Sequence, residues 1–165
     1  MRIASFIFQE QPGYGVVSDA GVRPAPPAFR ARFPDLKSVL AAGALSELAV
    51  AVKGSEPLDI NTLAFSIPIP DPARIICVGM NYLEHIHEMG RKRPAYPSLF
   101  TRFNDTMVGH EQPILRPRIS TEYDYEGELA VVIGRTARYL TETDALDYIA
   151  GYSCFLDGSV RDWQN

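Results

Sequence analysis

Tyr125-Glu126-Gly127-Glu128-Leu129-Ala130-Val131-Val132-Ile133 is the stretch on which the reading of this chain turns. Its apolar, β-branched second half marks a strand, expected over 126 to 133. Side chains alternate along a strand, so Glu126 and Glu128 share a face with Ala130 and Val132. Leu129, Val131 and Ile133 share the other face. Apolar residues on both faces beyond the carboxylates predict a strand that enters a core. Two like charges beside a core are costly unless something positive meets them. A hard divalent cation with oxygen ligands would do so. Gly127, between the two, would let another backbone or a substrate come close. Two hydrated glutamates at a strand end are the commoner use of such a pair, and the motif alone does not separate the two.

Downstream, the apolar run Tyr152 to Leu156 reads as another strand, and Asp157 with Gly158 ends it. A carboxylate there can face the end of a neighbouring strand, or can serve as a turn or cap residue. Upstream, Ile75 to Val78 is a short apolar strand ended by Gly79. Asn81 is placed to cap a helix from Tyr82 to about Met89, with Glu84 three residues on as in a capping box. His85 and Glu88 are three apart and so fall on one helical face. A carboxylate beside an imidazole fixes its tautomer, which suits a general base. An exposed polar helix with an incidental pair explains the same spacing. His110 reads as a loop residue.

Working outward, Arg2 to Phe8 and Tyr14 to Ser18 read as strands of an N-terminal hairpin, with Gln11-Pro12-Gly13 as the turn. Residues 23 to 34 hold four prolines and three arginines and predict irregular chain. Asp35 can cap a helix from Leu36 to about Lys53, broken near Gly43. Ser66-Ile67-Pro68-Ile69-Pro70-Asp71-Pro72 is the best linker, which sets a small domain at 1–70 and a second at 71–165. Ser98 to Phe103 is expected to be extended, and Glu142 to Ile149 a short helix. The fold class is α+β and rich in strands.

The composition, with 46% hydrophobic and 22% charged residues in 165, is that of a globular chain. A net charge of −4 argues against nucleic acid as the main partner. The two cysteines, Cys77 and Cys154, each lie in an apolar run and predict buried free thiols in a reducing, cytoplasmic setting. The N-terminus carries no cleavage-site pattern, and no apolar run approaches the roughly 18 residues a membrane span needs.

Taken together, three ordered segments resemble the fumarylacetoacetate hydrolase family. They are Ile75 through Tyr82 with His85 and Glu88, Tyr125 through Gly134, and Gly151 through Gln164. The resemblance implies a mixed β-sandwich roll, usually dimeric, preceded by a small N-terminal α/β subdomain. It implies that Glu126, Glu128 and Asp157 hold Mg²⁺ or Mn²⁺, sometimes Ca²⁺. It also implies that His85 and Glu88 form a dyad on a mobile helix that activates water, and that Arg161 and Gln164 lie near a keto acid substrate. Members cleave C–C bonds in acylpyruvates and other 1,3-diketo acids, while some isomerise or decarboxylate related dienoic acids. They also continue well past the segment matched by Arg161 to Gln164, and usually supply a catalytic lysine there. The expectation is therefore a roll incomplete at the C-terminus, belonging to a C–C hydrolase, to an isomerase or decarboxylase, or to a silent metal-binding fragment.

Overall fold

The structure, a computed structural model, describes residues 1–164. The chain folds as two units, one of residues 1–69 with 108–164, the other of residues 70–107. Each mixes strands with short helices, in keeping with an α+β class.

In the first unit β1 (Arg2–Phe8) and β2 (Gln11–Ser18) form an antiparallel hairpin. β3 (Gly21–Pro24) and β4 (Ala64–Phe65) complete a sheet of order β3-β2-β1-β4. The hairpin turns at Gln9 and Glu10, both at positive φ (49° and 63°), rather than at Pro12-Gly13. A two-residue loop with both residues left-handed matches the twist of paired strands. Pro12 sits in β2 opposite Ile7, beyond the stretch that β3 covers, so its missing N–H breaks no ladder.

The segment expected to be irregular contains β3 and α1 (Pro27–Arg32). Pro27 opens that helix, where a proline is tolerated because the first-turn N–H has no partner to lose. Asp35 caps α2 (Leu36–Ala41) in a reciprocal capping box with Ser38. The helical stretch breaks at Gly43, whose φ is +65°, and resumes as α3 (Leu45–Ala51) and a 3-10 turn. Tyr14, Phe29, Leu36, Val39, Leu48 and Val52 form the core between these helices and the sheet.

β7 (Tyr123–Ile133) and β8 (Ile149–Val160) make a long antiparallel pair in the same unit. Between them stand α5 (Glu142–Ala145) and a 3-10 turn, shorter than the single helix expected. The apolar face does not enter a core: Leu129 is 60% exposed, and Val131, Ile133, Tyr152 and Leu156 are exposed with it. Cys154 lies on that face and is exposed, against the expectation of two buried thiols; Cys77 is buried. The strand period put Leu129 and Val131 on one side correctly, but period alone does not say which side is covered.

The second unit holds β5 (Ile75–Gly79) paired antiparallel with β6 (Ser98–Arg102), and α4 (Leu83–Glu88). Tyr82, not Asn81, is the N-cap of α4, and no side chain caps it, so the expected capping box does not form. Gly90 follows α4 at φ +63°. No helix among the described residues is long and apolar enough to cross a membrane.

Candidate metal centre

The register of β7 on β8 builds the site. Glu126 stands directly opposite Asp157, and Glu128 is two residues along on the same face. Strand β8 runs on to Val160, so Asp157 sits inside a ladder and not at a strand end. One oxygen from each of Glu126, Glu128 and Asp157 lies within 4.8 Å of the others. Asp157 is 1% exposed, and the two glutamates are half-buried. A side chain added at Gly127 would meet nothing, so no close backbone approach accounts for this glycine among the described residues. Gly158 is different. A Cβ there would collide with the tip of the Tyr123 phenol, which would have to move.

The same face carries a carboxylate that the motif reading passed over. Asp124 is two residues before Glu126, so the period-two pattern is Asp124, Glu126, Glu128. Arg161 donates to Asp124 Oδ2 from Nε at 3.0 Å and from Nη2 at 2.9 Å, and also to Glu126 Oε1 from Nη2. Its Nη1 donates to Gln164 Oε1 at 2.9 Å. Burial alone would lower the Arg161 pKa, but its hydrogen bonds to Asp124 and Glu126 outweigh that and raise it.

Ser120, fully buried, fixes the segment from behind. Its hydroxyl donates to Asp162 Oδ1 at 2.6 Å and accepts from the Glu122 N–H at 3.0 Å. The Arg161 N–H donates to the Glu122 carbonyl at 2.9 Å.

The donor chemistry fits a hard divalent cation. Glu126, Glu128 and Asp157 offer carboxylate oxygens alone, with no imidazole or thiolate in the group. That set suits Mg²⁺, Mn²⁺ or Ca²⁺ and not a thiolate-seeking metal.

In the second unit, His85 Nδ1 and Glu88 Oε2 are 3.7 Å apart on α4, both facing solvent in part. His110 lies in an exposed turn-rich stretch, 3.7 Å from the Glu111 carboxylate.

The profile of the Fumarylacetoacetate (FAA) hydrolase C-terminal family matches residues 74–165. The chain belongs to this family. It is 35% identical over 153 residues to a mitochondrial oxaloacetate tautomerase of Rattus norvegicus, covering 92% of this chain and 48% of that protein. Among solved structures, a fumarylacetoacetate hydrolase from psychrophilic Exiguobacterium antarcticum superposes with a TM-score of 0.80 at 31% identity, covering 99% of this chain and 58% of that one. An HpcE-type protein of Mycobacterium smegmatis gives 0.82 at 29%, with 99% and 57% covered. The fold is thus that of the family. The chain spans about half the length of the relatives and structures it matches.

Proposed function

We propose that this chain carries the metal-binding and proton-transferring part of an enzyme that hydrolyses a C–C bond in acylpyruvates or other 1,3-diketo acids. The observation that supports it most is the Glu126, Glu128 and Asp157 oxygen cluster, carried by a member of this family. A divalent cation held there, Mg²⁺ or Mn²⁺ by preference and Ca²⁺ as the alternative, would stabilise the negative charge that gathers on the keto acid oxygens.

In this reading Glu88, whose carboxylate stands 3.7 Å from Nδ1 of His85, would draw closer and hold the proton there, leaving Nε2 to accept one. His85 Nε2 takes a proton from water as the oxygen adds to the distal carbonyl carbon. The C–C bond then breaks with its electron pair on the pyruvate-side carbon, and His85 returns the proton to that carbon. The products are pyruvate and a carboxylic acid, with no external oxidant or reductant. Arg161 and Gln164 would line the substrate side, and the working assembly would be a homodimer.

Pyruvate release from an acylpyruvate tests the reading. Turnover should appear with Mg²⁺ or Mn²⁺, stop on chelation, and be lost in Glu128→Gln. Metal binding without any metal-dependent turnover would leave a silent metal-binding chain instead.

The second reading is an isomerase, favoured by the relative named an oxaloacetate tautomerase. The same His85 would then move a proton between carbon and oxygen, with no bond to water. Ultraviolet absorbance of keto–enol interconversion, without acid release, would select it.

A further inference from the structure

We infer that Asp124 is a positioning residue for the metal site, acting through Arg161 on Glu126. This rests on the reading of Glu126, Glu128 and Asp157 as metal ligands.

The geometry is specific. Two of the donors of Arg161, Nε and Nη2, converge on Asp124 Oδ2 at 3.0 and 2.9 Å. A planar guanidinium held by two adjacent donors has its plane and direction fixed, which a lysine ammonium could not reproduce. The clamped Nη2 also donates to Glu126 Oε1. Glu126 therefore has one carboxylate oxygen committed, and the rotation of its carboxylate is set by a group that is itself held. The backbone of Arg161 is tied down independently, through its N–H to the Glu122 carbonyl. The neighbouring Asp162 is bonded to Ser120, which is fully buried. On the opposite edge Nη1 meets Gln164. One guanidinium thus links the metal ligand to the Gln164 side, and Asp124 decides where it stands.

Ligands to a metal are commonly oriented by partners of this kind, and losing such a partner typically costs about 10–100-fold in metal affinity. Asp124 is not one of the three clustered oxygen donors; the contacts that join it to Glu126 run through Arg161.

The test is Mn²⁺ titration of the 165-residue chain by calorimetry, with electron paramagnetic resonance of the bound ion. Parent, Asp124→Asn, Arg161→Gln and the double variant are compared, after circular dichroism shows each folded. The expected result is a loss of about tenfold or more in D124N and in R161Q. The double variant should be no weaker than R161Q, because interacting residues are non-additive. The Mn²⁺ line shape should change alike in D124N and R161Q. Asp124→Glu keeps the charge and moves the carboxylate by one methylene; it too should weaken binding, which also serves if D124N does not fold. Unchanged or tighter binding in these variants, or additive losses in the double variant, overturns the inference. Should the parent bind no Mn²⁺, the metal-site reading fails and this inference with it.

Discussion

The Glu88 carboxylate stands 3.7 Å from Nδ1 of His85, and the proposed hydrolase reading makes this histidine the general base. His85→Ala should therefore lower metal-dependent turnover by about 10²–10⁴-fold, the usual worth of a general base, while Mn²⁺ binding by calorimetry stays at the parent value. Glu88→Gln should give a smaller loss in the same assay. The residues of the carboxylate cluster were legible in the sequence by type and by alternation: Glu126 and Glu128 had to share a face. Asp157 was legible as a carboxylate beside a strand, but its place opposite Glu126 depends on register, which the sequence does not state. Asp124 obeys the same alternation and could have been found by extending the pattern one step upstream. Arg161 is the instructive case. The family resemblance implied a place near substrate, and its hydrogen-bond partners Asp124, Glu126 and Gln164 could not be read from spacing. Side-chain direction after a strand end is a tertiary fact.

At the level of elements, the caps and glycines carry predictions. Asp35 accepts from the Ser38 N–H at 2.7 Å, and Asp35→Ala should cost about 1 kcal/mol in a urea unfolding experiment. Gly158→Ala forces a methyl group into the Tyr123 phenol and should cost about 1–3 kcal/mol; Tyr123→Leu in the same chain should recover part of it. The helix start at Asp35 and the break at Gly43 were readable because capping and left-handed backbone have local signatures. The hairpin turn was misplaced because Pro-Gly is a strong turn signal, and only the reach of β3 shows that Pro12 has an open side. Pro27 misled in the same way: proline breaks a helix inside but suits its first turn.

For the whole molecule, the core gathers where α1 to α3 meet the first sheet, around Tyr14. Tyr14 is 2% exposed and its hydroxyl donates to the Phe33 carbonyl at 2.5 Å. Burial first, then the nearby Asp35, pushes its pKa from 10 up to about 12, against a smaller opposing effect of Arg30. The folded chain thus favours the neutral phenol more than the unfolded chain does. That contribution is full below pH 10 and is lost as pH rises toward about 12. The stability difference between the parent and Tyr14→Phe in urea should accordingly shrink across that window. The apolar face of β7 and β8 was expected to be covered and is open, which composition and period could not foretell. The candidate metal site joins these scales, since one strand register brings its three carboxylates together. Mn²⁺ titration of the chain and of Glu128→Gln tests it most directly. One Mn²⁺ should bind per chain, raising stability by about 2.7 kcal/mol at a hundred times the dissociation constant. Glu128→Gln should abolish both the binding and the stabilisation, while absent binding in the parent, or equal binding in the variant, would contradict the site.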